Sequence, residues 1–299
     1  GILQFSKIFK KLKPDINLVL GDRDEVLASS MAAYHMNIPN AHIHGGDISG
    51  AGIDEYNRHA ITKISNIHFP ATEKSKNRII RMGENPKTVF LTGSPSIDEI
   101  IKNQISNKQT LEKKYDIKFT DNVILLVQHP VTSGSQKTEN YIKNILKAIV
   151  KEQRTTFAIA PNSDAGNKII FSYLKQYSKK YSFIKYYRTI PRTDYLGMLK
   201  NCKLLLGNSS SGIIEGSYFD IPIIQVGIRQ QNRETGKNII VTTGDTVNDV
   251  SSAIKKAFKM KISKKREKIY GSGNSSRKIV RVLENISLTN KLINNKMFY

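Results

Sequence analysis

The sequence is poor in the residues that mark secreted or membrane-embedded chains: its 299 residues include one cysteine, Cys202, and no tryptophan. A single thiol cannot form an internal disulfide, which excludes a disulfide framework and is typical of a reducing compartment. No apolar run approaches the roughly 18 residues that a membrane span needs, and the first residues show no signal-peptide pattern. We therefore expect a cytoplasmic protein that does not associate with membranes.

Acidic residues are also scarce, since 25 Asp and Glu accompany 47 Lys and Arg and give a formal net charge of +22. Such an excess is one mark of nucleic-acid binding, and tight, salt-sensitive binding to random duplex would support that alternative. The lysines are, however, spread along the whole chain, without a zinc finger, basic zipper or aromatic RNA-binding pattern. We expect no nucleic-acid partner and interpret the charge as favouring an anionic substrate.

Short apolar runs alternate with helix-like segments along nearly the whole chain, which is the pattern of βαβ units with parallel sheets. The stretch 97–121 is polar and helix-like, so we place a domain boundary within it. We predict an N-terminal Rossmann-like domain at 1–105, a C-terminal Rossmann-like domain at 106–285 and a tail at 286–299. The first domain has fewer strand-like runs than a doubly wound domain normally contains, so we expect it to be incomplete.

Side chains suited to acid–base chemistry follow the first two strand-like runs. In chain order they are Asp22, His44, Asp54, Glu55 and Arg58. Because open α/β sheets bind ligands at the carboxyl ends of their strands, we expect these side chains to converge. Neighbouring carboxyl groups can acquire different pKa values and then divide into acid and base. Arg58 would either lower the pKa of one of them or hold a phosphate.

A metal site is the competing interpretation of the same region. His42 and His44 alternate along a strand, so their side chains point to opposite faces and cannot chelate one ion together. His44 with Asp22 and Asp47 would still offer three ligands for a divalent ion. We predict no metal and interpret His42 as a hydrogen-bonded core histidine.

A second group of candidates begins with the turn at 207–212, a strand end followed by small residues and a helix start. Small residues such as Gly212 let a phosphate approach the backbone, and Ser209 and Ser210 can add hydrogen bonds near the positive end of the helix. Glu215 follows in the helix, where it would accept hydrogen bonds from ribose hydroxyls. The alternatives are that the serines only cap the helix and that Glu215 only pairs with its dipole.

Two further loops carry candidates for diphosphate binding. Arg229 and Arg233 follow the next strand-like run, and a guanidinium offers paired donors to phosphate. His129 ends another run, where it would bond a diphosphate or protonate a leaving group. The alternatives are surface salt bridges for the arginines and a polar turn residue for His129.

With these residues in view, the chain resembles the UDP-N-acetylglucosamine 2-epimerase family. Its hydrolysing branch, which makes N-acetylmannosamine for sialic-acid-type sugars, is the closer match. The resemblance extends from about residue 7 to 285. It rests on Gly21-Asp22-Arg23, His42-Ile43-His44-Gly45-Gly46, Ile53-Asp54-Glu55, Arg58 to Lys63, Gly93-Ser94-Pro95 with Asp98, His129-Pro130, Gly207 to Gly212 with Glu215, and Arg229 to Gly236.

The resemblance implies the GT-B arrangement, in which two Rossmann-like domains with parallel sheets flank the active site. It implies that Asp22 and Asp54 are catalytic carboxylates, with Glu55, His44, Arg58 and His129 beside them in the catalytic set. It further implies a UDP-sugar substrate, no metal or redox cofactor, and a homodimer or higher homo-oligomer. The implied substrate contacts are Arg23, Ser209, Ser210, Gly212, Glu215, Arg229 and Arg233.

The implied reaction removes the C2 proton of UDP-N-acetylglucosamine while UDP leaves from C1, and water then adds to give N-acetylmannosamine. His44 stands where the non-hydrolysing branch has a glutamate. Family members also begin with a strand and an arginine-bearing turn, and about 80 residues of such a doubly wound domain have no counterpart here. The alternatives are therefore a non-hydrolysing 2-epimerase, a catalytically impaired UDP-binding remnant, or a GT-B glycosyltransferase that requires an acceptor sugar.

Overall fold

The computed structural model describes residues 1–50, 52–102, 105–119, 122–131, 135–162, 164–261, 268–293 and 298. The chain forms two compact units. The first consists of Gly1–Asp98 together with Ile269–Tyr299, and the second of Glu99–Lys268. Among the described residues, no helix is both long and apolar enough to cross a membrane.

The first unit has a parallel sheet of three strands in the order β1 (Asn17–Leu20), β2 (Asn40–Ile43) and β3 (Ile67–Phe69). All residues of β2 and β3 are buried, as expected for parallel strands covered on both faces. Its elements up to residue 101 are α1 (Ile2–Leu12), β1 (Asn17–Leu20), α2 (Asp24–His35), β2 (Asn40–Ile43), α3 (Ile53–Lys63), β3 (Ile67–Phe69), α4 (Glu73–Arg81), a 3-10 turn (Pro86–Thr88) and α5 (Pro95–Ile101).

The second unit contains a six-stranded parallel sheet, whose strands lie in the order β6 (Ile184–Tyr187), β5 (Thr156–Ile159), β4 (Ile124–Val127), β7 (Leu204–Gly207), β8 (Ile223–Val226) and β9 (Ile239–Thr242). Numbered within the unit, this is the order 3-2-1-4-5-6 of a Rossmann sheet, whose order reverses between β4 and β7. The elements are α6 (Lys108–Tyr115), β4 (Ile124–Val127), α7 (Ser135–Lys151), β5 (Thr156–Ile159), α8 (Asn167–Lys180), β6 (Ile184–Tyr187), α9 (Arg192–Asn201), β7 (Leu204–Gly207), α10 (Ser210–Ile214), β8 (Ile223–Val226), β9 (Ile239–Thr242) and α11 (Val247–Lys259).

Strand residues of the second unit alternate between two apolar cores. Ile124 and Leu126 of β4 pack in one core, whereas Leu125 and Val127 pack in the other. This follows from the two-residue period of a strand, which sends neighbouring side chains to opposite faces. The predicted continuous apolar runs therefore correspond to strands that are buried on both sides.

The predicted domain limits need a correction at the C-terminal end. The helices α12 (Ser275–Asn285) and α13 (Asn290–Ile293) belong to the first unit, although we assigned 106–285 to the second domain and 286–299 to a tail. Ile279 of α12 packs in one core with β2 and β3 residues, including Ile43 and Phe69. Amphipathic periodicity showed that a helix forms here but not which sheet it covers.

The return of the chain to the first unit is fixed by a buried carboxylate. Asp98 is 4% exposed and accepts hydrogen bonds from the backbone N–H groups of Ser275 at 2.9 Å and Ser276 at 2.7 Å. These N–H groups open α12 and have no partner within the helix, so Asp98 acts as its cap from elsewhere in the sequence.

Candidate functional site

In the second unit, the candidate residues lie where the strand order reverses, at the carboxyl ends of β4 and β7. Gly207 ends β7 with φ +138°, and a Cβ there would overlap the carbonyl oxygen of Val127 on β4. The glycine therefore allows the two strand ends to approach closely. His129 follows β4 and Ser209 follows β7, at the position where Rossmann sheets bind their ligands.

Asn208, which our sequence analysis did not single out, connects the loops at this position. Its side chain is fully buried, with Oδ1 accepting from the His129 backbone N–H at 2.7 Å and Nδ2 donating to the His129 carbonyl at 2.9 Å. Its own carbonyl accepts from Arg229 Nη1 and Gln230 Nε2, both at 3.3 Å. Asn208 thus joins the segments that follow β4, β7 and β8.

His129 is held as a neutral imidazole of defined tautomer. Its Nδ1 accepts the backbone N–H of Asn162 at 3.1 Å, so the ring proton of the neutral form lies on Nε2. Burial is the main cause that lowers the pKa of His129 to about 4, and Arg229 lowers it further, while Asp164 opposes the shift. At neutral pH the side chain therefore offers an Nε2–H donor.

The serine turn forms the start of a short helix. Ser209 is the N-cap of α10 and accepts from the Ser211 N–H, and its hydroxyl lies 2.9 Å from the Ser211 hydroxyl. Tyr195 in turn hydrogen-bonds Ser211. Ser210 is the first residue of α10. A Cβ on Gly212 would lie 2.9 Å from Leu205 Cδ2, so close packing of α10 on the sheet explains that glycine.

Glu215 is buried at the end of α10, with 4% of its surface exposed, and forms an ion pair with Arg192. Arg192 opens α9 and also pairs with Glu99 at 3.0 Å. Arg192 was not predicted from the sequence, because a strand and a turn separate it from Glu215. The predicted ribose contact is therefore a carboxylate whose orientation a guanidinium fixes.

The two arginines predicted in the loop after β8 make different contacts. Arg229 donates to the Asn208 carbonyl and lies 3.7 Å from Asp164 Oδ2. The backbone N–H of Arg233 donates to the Gln230 carbonyl at 3.3 Å, in a turn, and its side chain is partly buried. The first arginine thus belongs to the group around Asn208, and the second lies further along the same loop.

In the first unit, Asp22 and Arg58 are brought together. Asp22 follows β1 and Gly21, and its carboxylate forms an ion pair with Arg58 of α3. Arg58 is 3% exposed, and its second Nη donates to the carbonyl of Asp47 at 3.1 Å. The guanidinium thus connects the end of β1 to the turn after β2, which confirms the predicted convergence of these two side chains.

His44 occupies the turn after β2 with φ 65°, a left-handed conformation that is uncommon for a residue with a side chain. Its Nδ1 lies 3.1 Å from Asp47 Oδ2 and its Nε2 lies 3.0 Å from Ser94 Oγ. Both ring nitrogens are therefore engaged by side chains from the same unit. His44 was predicted from the sequence as a site residue, whereas Ser94 was given no role of its own.

Asp54 and Glu55 lie on the first turn of α3, where negative charge is favourable. Glu55 accepts the backbone N–H of Ser49 at 2.7 Å, and its other oxygen lies 4.0 Å from His59 Nε2. Asp54 is partly buried. Arg23 precedes α2 as its N-cap residue, with a 47% exposed side chain that lies 3.6 Å from Glu25.

His42 has the structural role that its position in the strand predicted. It is fully buried, with Nε2 2.8 Å from the Gly21 carbonyl, and burial is the main cause that lowers its pKa to about 3. Within the described residues, no group of three or more His, Cys, Asp or Glu side chains is arranged to hold a metal ion. Cys202 is also buried, and burial raises the pKa of its thiol to about 12.

The fold and these two groups of side chains define an α/β protein with a Rossmann-type sheet, polar loops where its strand order reverses, and a separate group of acidic and basic side chains. Residues 1–284 match the family profile described as UDP-N-acetylglucosamine 2-epimerase. The chain belongs to this family of sugar-nucleotide enzymes, which confirms the resemblance found in the sequence.

Curated relatives agree with this assignment. The chain is 35% identical over 294 residues to the UDP-N,N'-diacetylbacillosamine 2-epimerase (hydrolyzing) of Legionella pneumophila, covering 98% of this chain and 77% of that protein. It is 37% identical over 256 residues to the GDP/UDP-N,N'-diacetylbacillosamine 2-epimerase (hydrolyzing) of Campylobacter jejuni, covering 84% and 65%. It is 33% identical over 252 residues to the UDP-N-acetylglucosamine 2-epimerase of Neisseria meningitidis, covering 84% and 66%.

Solved structures share the fold. The UDP-GlcNAc 2-epimerase of Methanocaldococcus jannaschii, in complex with UDP-GlcNAc and UDP, matches with a TM-score of 0.81 at 24% identity, covering 95% of this chain and 79% of that one. The Neisseria meningitidis enzyme bound to UDP-GlcNAc matches with a TM-score of 0.80 at 21% identity, covering 95% and 80%. The predicted fold class, α/β with two Rossmann-like parallel sheets of the GT-B type, is confirmed.

Proposed function

We propose that the protein is a hydrolysing sugar-nucleotide 2-epimerase, which converts a UDP-linked 2-acetamido sugar and water into UDP and the free sugar epimerised at C2. The observation that carries the proposal is the Asp22–Arg58 ion pair beside the His44–Asp47 turn. It joins a carboxylate, a cation and an imidazole at the carboxyl ends of β1 and β2. Similarity to two relatives named as hydrolysing 2-epimerases supports the choice of branch.

The proposed reaction begins with an elimination. A carboxylate of the first unit, Asp22 or Asp54, removes the C2 proton, and the C1–O bond to UDP breaks. In the second unit, the neutral His129 donates its Nε2–H to the departing diphosphate, and Arg229 contributes positive charge. Since a C–H bond at C2 is weakly acidic, this step depends on placement of the base and on stabilisation of the leaving group. Water then adds at C1 while C2 takes up a proton on the opposite face.

The Rossmann strand order of the second unit and the loops that Asn208 joins support nucleotide binding by this unit. Ser209 and Ser210 would bond phosphate at the start of α10. Glu215, held by Arg192, would accept from the ribose hydroxyls. Gly212, Arg23 and Arg233 remain proposed substrate contacts.

Two sugars are the first candidates, because relatives are named for each: N-acetylglucosamine and N,N'-diacetylbacillosamine, both linked to UDP. Either product would feed reactions that build sialic-acid-type sugars. The Escherichia coli relative named Polysialic acid biosynthesis protein P7, 38% identical over 238 residues and covering 60% of that protein, supports this setting.

The test is to incubate the purified chain with each UDP-sugar and to measure free UDP and free sugar by chromatography. We expect equal amounts of UDP and of the C2-epimerised sugar, and loss of both in Asp22→Asn. Asp116→Asn is the matched control, since Asp116 has a 93% exposed side chain in the second unit.

The identity of the products distinguishes the proposed function from its alternatives. A C2-epimerised UDP-sugar without free UDP would establish the non-hydrolysing branch instead. Turnover that requires an added acceptor sugar would indicate a glycosyltransferase. Binding of UDP without any turnover would indicate a binding protein and would contradict the proposed function.

A further inference from the structure

Asp47 makes the contacts that fix the orientation of His44. One carboxylate oxygen lies 3.1 Å from His44 Nδ1, and the other accepts from the Ser75 hydroxyl at 2.7 Å. The side chain of Asp47 is 4% exposed, and its backbone carbonyl is held by Arg58. The carboxylate is therefore fixed at both oxygens and through its main chain.

The geometry determines which ring nitrogen carries the proton. An ionised carboxylate only accepts hydrogen bonds, so the neutral imidazole must place its hydrogen on Nδ1 to bond Asp47. The lone pair then lies on Nε2, which is 3.0 Å from the Ser94 hydroxyl. This carboxylate–imidazole–hydroxyl order is the one that makes a histidine a base in serine hydrolases.

Ser94 is fully buried, which argues against a nucleophile for an external substrate. Its hydroxyl lies 2.7 Å from the Ser96 hydroxyl, so it has a second partner in addition to His44. It can therefore release Nε2 without becoming a buried hydroxyl that lacks a hydrogen bond. The imidazole would then be available as a proton acceptor.

The backbone conformation of the turn from His44 to Asp47 also indicates a functional role. His44 has φ 65° although it carries a side chain, and such conformations persist where the surroundings impose them, often at functional sites. Gly46 follows with φ 73°, and a Cβ there would meet the carbonyl of Ser75 at 2.5 Å. The backbone between His44 and Asp47 is thus folded so that the two side chains meet.

We propose that Asp47 is a positioning residue of this site, which holds His44 in the Nδ1–H tautomer so that Nε2 serves as a base. The proposal rests on the proposed function. In the hydration step, the water oxygen bonds to C1 as its O–H bond breaks, and the proton passes to Nε2. C2 takes up a proton from an acid on its other face, and the imidazolium later returns its proton to solvent.

The test combines nitrogen NMR of the ¹⁵N-histidine-labelled full chain with steady-state kinetics of UDP release from UDP-sugars. The signals of His44 are assigned with His44→Gln. Spectra are recorded at alkaline pH, once the ring nitrogens show the chemical shifts of a neutral imidazole, and we expect the Nδ1–H tautomer in the unmodified protein. In Asp47→Asn the amide can donate to Nδ1, so we expect the Nε2–H tautomer and a kcat lower on the order of 100-fold, with KM little changed.

Two variants separate positioning from folding. Asp47→Glu retains an acceptor and should keep the Nδ1–H tautomer with part of the activity. Ser94→Ala removes the contact at Nε2 and should leave the Nδ1–H tautomer in place. The circular dichroism spectrum and the thermal unfolding curve of Asp47→Asn should match those of the unmodified protein. If Asp47→Asn loses kcat but His44 keeps the Nδ1–H tautomer, the proposal is overturned.

An Nε2–H tautomer in the unmodified protein would also overturn the proposal, as would an unchanged kcat in Asp47→Asn. If the unmodified chain releases no UDP from either sugar nucleotide, the proposed function fails. The role of His44 as a base fails with it, while the NMR measurement still decides whether Asp47 sets the tautomer.

Discussion

Asn208 lies fully buried at the end of β7, and its side chain bonds both the N–H and the carbonyl of His129. A backbone carbonyl and N–H of the same residue can be satisfied together by an asparagine amide, which has a donor and an acceptor. Aspartate lacks the donor, and alanine lacks both. The identity of residue 208 therefore controls the loop that carries the proposed diphosphate ligand.

Replacement of Asn208 by alanine should weaken UDP binding. The loss of two buried hydrogen bonds frees the His129 loop, and we expect the Kd for UDP to rise roughly 10-fold, as a change of 1–2 kcal/mol implies. Isothermal titration calorimetry measures it, with Asn248→Ala, an exposed asparagine of α11, as the control. Equal affinities in Asn208→Ala and the unmodified protein would contradict the expectation.

Some residues of the candidate site could not be predicted from the sequence. Asp22, His44 and Arg58 were selected because each follows a strand or lies in a polar motif. Ser94 and Arg192 were not given roles, since their importance comes from partners 50 and 23 residues away. Such pairs leave no periodic or local signal in one sequence.

At the scale of secondary-structure elements, α12 depends on a residue from a distant helix. Asp98 of α5 bonds the first N–H groups of α12, so the helix is capped and attached to the first unit by one carboxylate. The apolar face of α12 then covers the sheet through Ile279. The cap and the apolar face together explain why residues 275–285 belong to the first unit.

Asp98→Ala should loosen α12. Removal of a cap typically lowers stability by about 1 kcal/mol, and because Asp98 is buried we expect faster hydrogen exchange in the amides of residues 275–285. Exchange measured by mass spectrometry tests this, with Glu284→Ala, an exposed acid on the same helix, as the control. Unchanged exchange in Asp98→Ala would show that apolar packing alone holds the helix.

At the scale of the whole molecule, the second unit has the components of an independently folding domain. It contains a complete six-stranded Rossmann sheet with two apolar cores of its own. The first unit, in contrast, is assembled from two segments that are far apart in sequence. Truncation of the chain should therefore affect the stability of the two units differently.

A fragment of residues 99–268 should fold by itself and bind UDP. Removal of 269–299 from the full chain should instead destabilise the first unit, because Ile43 and Phe69 lose the cover of α12. Circular dichroism and calorimetric titration with UDP measure both effects. A fragment 99–268 without a cooperative unfolding transition would contradict the division into units.

Stability of the chain should fall as the pH is lowered below neutral. His42 and His129 have folded-state pKa values of about 3 and about 4, below their ordinary value of 6.5. Between these values and 6.5 the unfolded state binds more protons than the folded state, so acid favours unfolding. Burial raises the pKa of Glu84, but the Lys63 ammonium and the nearby His68 ring outweigh it and lower the pKa, so acid below the ordinary range of a glutamate adds to the same trend.

His42→Gln should make this pH dependence shallower. At pH 5 the difference attributable to one buried histidine is about 2 kcal/mol relative to pH 8. Thermal unfolding at a series of pH values measures it, with His35→Gln as the control at an exposed position. Parallel stability curves for His42→Gln and the unmodified protein would exclude His42 as a source of the acid sensitivity.

Local sequence patterns were enough to predict the alternation of strands and helices, the family, and most of the polar residues at strand ends. These are local properties, because burial periods and turn residues act between near neighbours in the chain. The strand order, the return of α12 to the first unit, and the hydrogen bonds that fix His44, His129 and Glu215 became visible only in the folded chain. Those features depend on contacts between residues far apart in sequence, whose free energy exists only once the chain is packed.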